Sequence, residues 1–264
     1  MNNPQMAMSY IKNDPRDINN TISEINKSVS LNLDMVPELS NLKKVKIIQD
    51  VEFIDCCCAI CTQNKYSVMI PQTDEKIFDF KENSSCPERF CCFRCRGFMM
   101  KISNLGGNAR LNTYDGEKGC SLPCLDGNGC GQPSIKVTLT APNHKFLGSV
   151  KMDYENCICS ICSHKIIIRD EKKNIKYHIQ RSCYCIACYI PIFSCLPKPC
   201  DILYHIYEGN QVVGEVKRVK CSGCLTFCPK GDNYDINFPE NASPVDKFLI
   251  INGVILLDYL SFFL

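Results

Sequence analysis

Apolar and polar residues alternate along most of the chain from Leu42 onwards, and the alternating runs come in pairs. Val45, Ile47 and Val51 share one face of an opening strand. Asn64–Ile70 and Lys76–Phe80 then flank Pro71-Gln72-Thr73-Asp74-Glu75, and Phe98–Ser103 and Arg110–Tyr114 flank Asn104-Leu105-Gly106-Gly107-Asn108. Ser134–Thr140 pairs with Phe146–Met152 across Ala141-Pro142-Asn143-His144-Lys145, and Lys165–Arg169 with Ile175–Ile179 across Asp170-Glu171-Lys172-Lys173-Asn174. Asp201–Tyr207 and Val212–Val219 flank Glu208-Gly209-Asn210-Gln211. Period-two alternation of β-branched and aromatic residues, with Gly, Asn, Asp or Pro between the runs, is the signature of a β-hairpin. With a further strand near Tyr234–Phe238, the count reaches about 11 or 12 strands, and an antiparallel sheet of that size closes economically into a barrel.

Two segments depart from the alternation. Residues 1–40 are polar and weakly periodic, which predicts a flexible leader with a short helix around Ile22–Val29 ahead of a domain spanning 41–264. Residues 247–264 are apolar on nearly every face. A helix of that kind is buried in protein or in lipid. As a span it is short of the about 20 apolar residues a bilayer asks for. It also carries Asn252 and Asp258, and Asp258 at depth is costly unless paired. The segment is therefore expected either to thread the barrel or to insert in a membrane, with the barrel preferred.

Composition adds 45% hydrophobic and 22% charged residues, those of a folded chain, and a net charge of only +2, which gives no broad electrostatic case for nucleic acid. The first residues have no apolar signal segment, and Asn2 stands where myristoylation needs glycine, so the thiols are expected to meet a reducing cytosol. Those thiols number 22, in six clumps: 56–61, 86–95, 120–130, 157–162, 183–200 and 221–228. Each clump falls at a joint between hairpins, so their spacing reports a repeated structural unit.

The chain resembles the phospholipid scramblases over Val36 to Leu264. Val45-Lys46-Ile47-Ile48-Gln49-Asp50-Val51-Glu52 looks like that family's first strand, and Asn64-Lys65-Tyr66-Ser67-Val68 like the next. The Cys91-Cys92 pair, a hairpin, a second cysteine clump and Ile135-Lys136-Val137-Thr138-Leu139 leading into Ala141-Pro142 follow in family order. Asp232-Asn233-Tyr234-Asp235-Ile236-Asn237-Phe238-Pro239 resembles the family's Asp-Asn-Phe-Gly-Ile-Gln-Phe-Pro stretch before its apolar C-terminal segment. The resemblance implies a mainly β, tubby-like fold: a closed antiparallel barrel of about 12 strands around a hydrophobic C-terminal helix. It also implies palmitoylated cysteines and Ca²⁺-stimulated, ATP-independent movement of membrane phospholipids between leaflets. The implied location is the cytoplasmic face of a membrane, the plasma membrane foremost.

Calcium in that family is assigned to a loop beginning and ending in acidic residues. Here the matching stretch begins at Lys230 and ends at Asn241, so both ends depart from the pattern. Asp232, the carbonyls of Tyr234 and Ile236, and Glu240 remain as oxygen donors of the kind a hard cation takes.

Three fates are open to the cysteines. Cys58 and Cys61, Cys92 and Cys95, Cys159 and Cys162, Cys185 and Cys188, and Cys221 and Cys224 have the CxxC spacing of zinc half-sites. Clustered thiols also accept palmitate, and two or more chains anchor stably where one does not. The clump acylated in the family matches Cys120, Cys124 and Cys130. Cys91, Cys92 and Cys95 are denser and lie among Arg89, Arg94 and Arg96, which favours an anionic membrane surface. The third fate is burial as small hydrophobes.

Covalent catalysis is not expected. His144, His164, His178 and His205 are few, and no cysteine carries a nucleophile signature. The functional expectation is a non-enzymatic scramblase. The alternatives are a zinc-binding interaction module and a lipid-binding scaffold or regulator without transport.

Overall fold

The computed structural model describes residues 36–50, 63–84, 98–104, 113–118, 134–139, 145–153, 165–181, 202–220 and 232–261. These form β1 (Lys44–Gln49), β2 (Lys65–Met69), β3 (Lys76–Asn83), β4 (Phe98–Asn104), β5 (Thr113–Lys118) and β6 (Ser134–Leu139). There follow β7 (Phe146–Asp153), β8 (Lys165–Arg169), β9 (Ile175–Arg181), β10 (Ile202–Glu208), β11 (Gln211–Lys220), β12 (Asp232–Asn237) and one helix, α1 (Pro244–Ser261). A 3-10 turn, Pro37–Leu39, precedes β1.

Every strand pairs antiparallel with its neighbours in sequence, and the ladder returns on itself. Ile47 of β1 stands opposite Val68 of β2 on one side and Tyr234 of β12 on the other. The result is a closed, mainly β barrel, a form that leaves no unpaired sheet edge. Register places Val45, Ile47, Tyr66, Val68, Phe78 and Phe80 on the inner face, and the intervening positions outside.

Strict up-and-down order also sorts the connections. Those following β2, β8 and β10 are short polar turns at one rim, closed by Pro71–Thr73, by Asp170 accepting from the Asn174 N–H at 2.8 Å, and by Gly209 at φ +58°. Those following β4 and β6 return to the same hairpin rim. The connections following β1, β3, β5, β7, β9 and β11 all leave from the opposite rim. Every one of the 22 cysteines falls in these six, and all of them lie outside the described residues.

α1 enters at the hairpin rim and runs up the barrel. Ser243-Pro244-Val245-Asp246 starts it with a capping box: the Ser243 Oγ accepts from the Asp246 N–H at 3.2 Å, and the Asp246 carboxylate accepts from the Ser243 N–H at 2.9 Å. Proline suits the first turn because the N–H it lacks would have no partner there. This cap moves the start back from 247, where apolarity begins, to Pro244. From Phe248 to Leu257 every residue is buried, which explains a helix apolar all round: each of its faces meets a strand rather than lipid.

Two further boundaries differ from the sequence reading. Val36 and Leu39 are fully buried, so the packed fold reaches back into the segment read as leader. The Thr113–Lys118 strand extends past the run ending at Tyr114, because Gly116 pairs with Met100 and Val137 although Asp115-Gly116 has the character of a turn. The described residues do not include Ile22–Val29.

The wall and helix meet without slack at Gly148 of β7. A Cβ there would lie 2.5 Å from the Arg169 carbonyl oxygen and 2.7 Å from a Leu249 methyl. Gly148→Ala is therefore expected to destabilise by about 1–3 kcal/mol, the usual range for overpacking. Urea denaturation of the two proteins checks this, and equal midpoints would show that the contact yields.

Candidate functional site

The polar groups of α1 decide what kind of interior this is. Asp246 pairs with Lys176 of β9 at 2.5 Å. The Lys247 Nζ donates to the carbonyl oxygens of Leu39 and Ser40, at 2.9 and 3.0 Å, clamping the 3-10 turn onto the helix. Burial lowers the pKa of that ammonium. The Asn252 amide donates to the Phe248 carbonyl one turn back, at 2.8 Å.

Asp258 is the last of these groups along the helix. The Tyr66 hydroxyl donates to its Oδ2 and the Tyr234 hydroxyl to its Oδ1, both at 2.8 Å. Burial pushes the carboxyl up to about 6, against the pull of the two hydroxyls, which favour the carboxylate. Both tyrosines are raised as well, by burial first and by Asp258 next. Tyr66 and Tyr234 lie on β2 and β12, the two strands that flank β1. One carboxylate thus ties the helix to both sides of the barrel's closing seam.

A cavity of about 370 Å³ opens at the hairpin rim beside the start of α1. Leu147 and Leu249 are among its apolar lining residues, and Lys172, Lys176, Glu171 and Asp246 among its charged ones.

The four calcium candidates are not gathered about a point. Asp232, Tyr234 and Ile236 sit on one extended strand, β12, where successive inward residues lie about 7 Å apart, and Glu240 follows in an exposed turn. Asp232 holds the Arg218 guanidinium, Tyr234 holds Asp258, and Ile236 is fully buried. Ladder pairing with β1 and β11 keeps this stretch straight where a calcium loop must wrap, so these residues do not fit the ion. Among the described residues, no group of three or more His, Cys, Asp or Glu side chains is placed to hold a metal.

The zinc candidates (Cys58, Cys61, Cys92, Cys95, Cys159, Cys162, Cys185, Cys188, Cys221 and Cys224) and the acylation candidates (Cys91, Cys92, Cys95, Cys120, Cys124 and Cys130) lie outside the described residues. So do His144 and His164. His178 stacks on Tyr207 with ring centroids 4.8 Å apart, and His205 meets the same ring edge-on at 6.1 Å. Burial, and then Lys165, lowers the His178 pKa. These two histidines pack an aromatic cluster on the wall.

The architecture defines a class before it defines a family: a helix-filled barrel whose occupied interior leaves the outer wall and the rims to meet a partner. The chain belongs to the Scramblase family, whose sequence profile matches residues 22–263. It is 22% identical over 225 residues to phospholipid scramblase 1 of Mus musculus, covering 85% of this chain and 62% of that protein. Against phospholipid scramblase 2 of Bos taurus the identity is 22% over 226 residues, covering 85% of this chain and 70% of the relative. Phospholipid scramblase 1 of Homo sapiens is 22% identical over 225 residues, with 85% and 64% covered. The chain thus spans less than two thirds of the two scramblase 1 proteins. No solved structure matches it significantly.

Proposed function

We propose that this chain is a phospholipid scramblase, moving phospholipids in both directions between leaflets without ATP and without covalent chemistry. Membership of the Scramblase family across nearly the whole barrel carries this reading. The filled interior constrains how it acts. Core side chains and α1 occupy the space inside the ring, so a headgroup would cross along the outer wall or a rim, not through the barrel. Among the described residues no helix is long and apolar enough to cross a membrane. The proposed location is the cytoplasmic face of the plasma membrane, with acylated thiols as anchors.

The deciding experiment is reconstitution into vesicles carrying a fluorescent phospholipid, with a membrane-impermeant quencher added outside, with and without Ca²⁺. The expected result is loss of the protected inner-leaflet signal in proteoliposomes but not in protein-free vesicles. Label that stays in its leaflet under both conditions sinks the proposal. The occupied interior favours one second reading, a lipid-binding regulator on this fold, and binding without transfer in the same vesicles would select it.

A zinc-binding module stands on the CxxC spacing of the five cysteine pairs. Stoichiometric zinc in the purified protein, lost together with the fold on chelation, would select that function instead.

A further inference from the structure

The cavity at the hairpin rim lies between β7, the β8–β9 turn and the first turns of α1. Ile168 pairs with Tyr177 and Arg169 with Ile175, so Lys176 is the extra residue of a bulge in the β8–β9 ladder. A bulge re-aims the side chain it carries. Here it frees the Lys176 ammonium to reach Asp246 on the helix.

The uncharged part of the lining is largely aliphatic. Leu147, Pro244 and Leu249 are buried, Val245 is half-buried, and no aromatic ring is among the lining residues. At about 370 Å³ the cavity falls near the small end of ligand pockets, about 300–1,000 Å³, with room for one short chain and not for the two long chains of a membrane phospholipid.

The charged part of the lining is unevenly engaged. Asp170 accepts from the Asn174 N–H and side-chain amide, and Glu171 pairs with Lys145 at 3.7 Å. The Asp246 carboxylate accepts from the Ser243 N–H, the Ser243 hydroxyl and Lys176. Lys172, exposed in the turn, forms no ion pair among the described residues. With Lys145 included, three bases balance three acids, so the site has no diffuse attraction for anions. Recognition there is local, at one lysine beside an aliphatic floor.

We propose that this cavity binds an amphiphile with a single short alkyl chain and one anionic head, carboxylate or phosphate. The chain lies on Leu147, Val245 and Leu249, and the head meets Lys172. Because such a ligand binds only the folded barrel, occupancy stabilises the seating of α1 in the wall. The site is independent of the transport proposed above.

Isothermal titration calorimetry on the full chain tests it, with decanoate, decyl phosphate, decanol and inorganic phosphate, each below any micelle-forming concentration. Decanoate and decyl phosphate are expected to bind at a single site, decanol about fivefold more weakly, and inorganic phosphate not measurably. Shortening decanoate to octanoate should weaken binding by about tenfold, since each buried methylene contributes up to about fourfold. Lys172→Gln should cost about fivefold in decanoate affinity, the upper worth of one exposed ion pair. Lys173→Gln, at the next residue of the same turn and outside the lining, should cost nothing. Val245→Phe fills the cavity and should weaken decanoate by more than about tenfold. Denaturation midpoints without ligand separate loss of the site from loss of the fold.

Decanol binding as tightly as decanoate, equal affinity in the two lysine variants, or a folded Val245→Phe protein that binds like the wild type would overturn the proposal. So would binding to phosphatidic acid vesicles with no binding of monomeric decanoate or decyl phosphate, which places recognition on a bilayer surface. None of these measurements needs lipid to cross a bilayer. Their failure leaves the transport reading untouched, and failure of the transport assay leaves the cavity untouched.

Discussion

Phe248→Ala is expected to remove about 3–5 kcal/mol of stability, enough to unfold a marginal domain. Phe248 is fully buried in the first turns of α1, with its ring 5.6 Å from that of Phe78 and 6.3 Å from that of Phe80. Truncation leaves a cavity between helix and wall that a closed barrel is poorly able to collapse, because each strand is held by neighbours on both sides. Chemical denaturation followed by far-UV circular dichroism measures the loss. Phe248→Leu fills most of the space and should recover the larger part of it. A loss below about 1 kcal/mol in the alanine variant would mean that the helix does not fill the barrel as described.

The second large effect is one of pH and belongs to Asp258. Its carboxyl titrates at about 6 in the folded chain against an ordinary 3.8, with burial the largest cause. A raised acid pKa means that the folded protein binds the proton more tightly than the unfolded chain does. The contribution of this group is therefore greatest below about pH 4, falls as pH rises towards 6, and is flat above, a change of about 3 kcal/mol in all. Carboxylates in ion pairs, such as Asp246 with Lys176, act in the opposite sense, so the comparison must be with Asp258→Asn. The wild type should lose about 2 kcal/mol relative to that variant between pH 4 and pH 6.5. Parallel stability curves across that window would show that the carboxyl titrates normally, hence that the two tyrosines and not burial control it.

Much of this fold was legible because period-two alternation and turn chemistry are local. The paired runs around Pro71–Glu75 and Asp170–Asn174 correspond to β2 with β3 and β8 with β9. A helix apolar on every face suits protein and lipid alike; its short length and Asp258 favoured the barrel, and the burial of Phe248 to Leu257 places it there. Asp258 announced the need for a partner, but Tyr66 is far away in sequence, and inward tyrosines on strands read as ordinary core. The Ser243–Asp246 cap was overlooked because apolarity, not capping, set the expected start of the helix.

The calcium expectation came from a resemblance in residue order. The coordination it implied needs a curved backbone, and strand pairing denies that curve to residues 232–237. The even spacing of the cysteine clumps reported a repeat, and the strand order shows its unit: every clump falls in a connection that follows an odd-numbered strand.

The seam between β1 and β12 sets a schedule for the birth of the molecule. Both the strand that closes the ring and the helix that fills it follow all other strands in chain order, and the Tyr66–Asp258 tie joins residues 192 apart. A ribosome making this chain therefore releases strand after strand with inward faces unclothed and one edge unpaired, a condition that invites self-association. Closure must wait for the last segment, and high contact order makes it slow. Until β12 and α1 are in place, the inward residues of the earlier strands lack the helix they pack against in the finished fold.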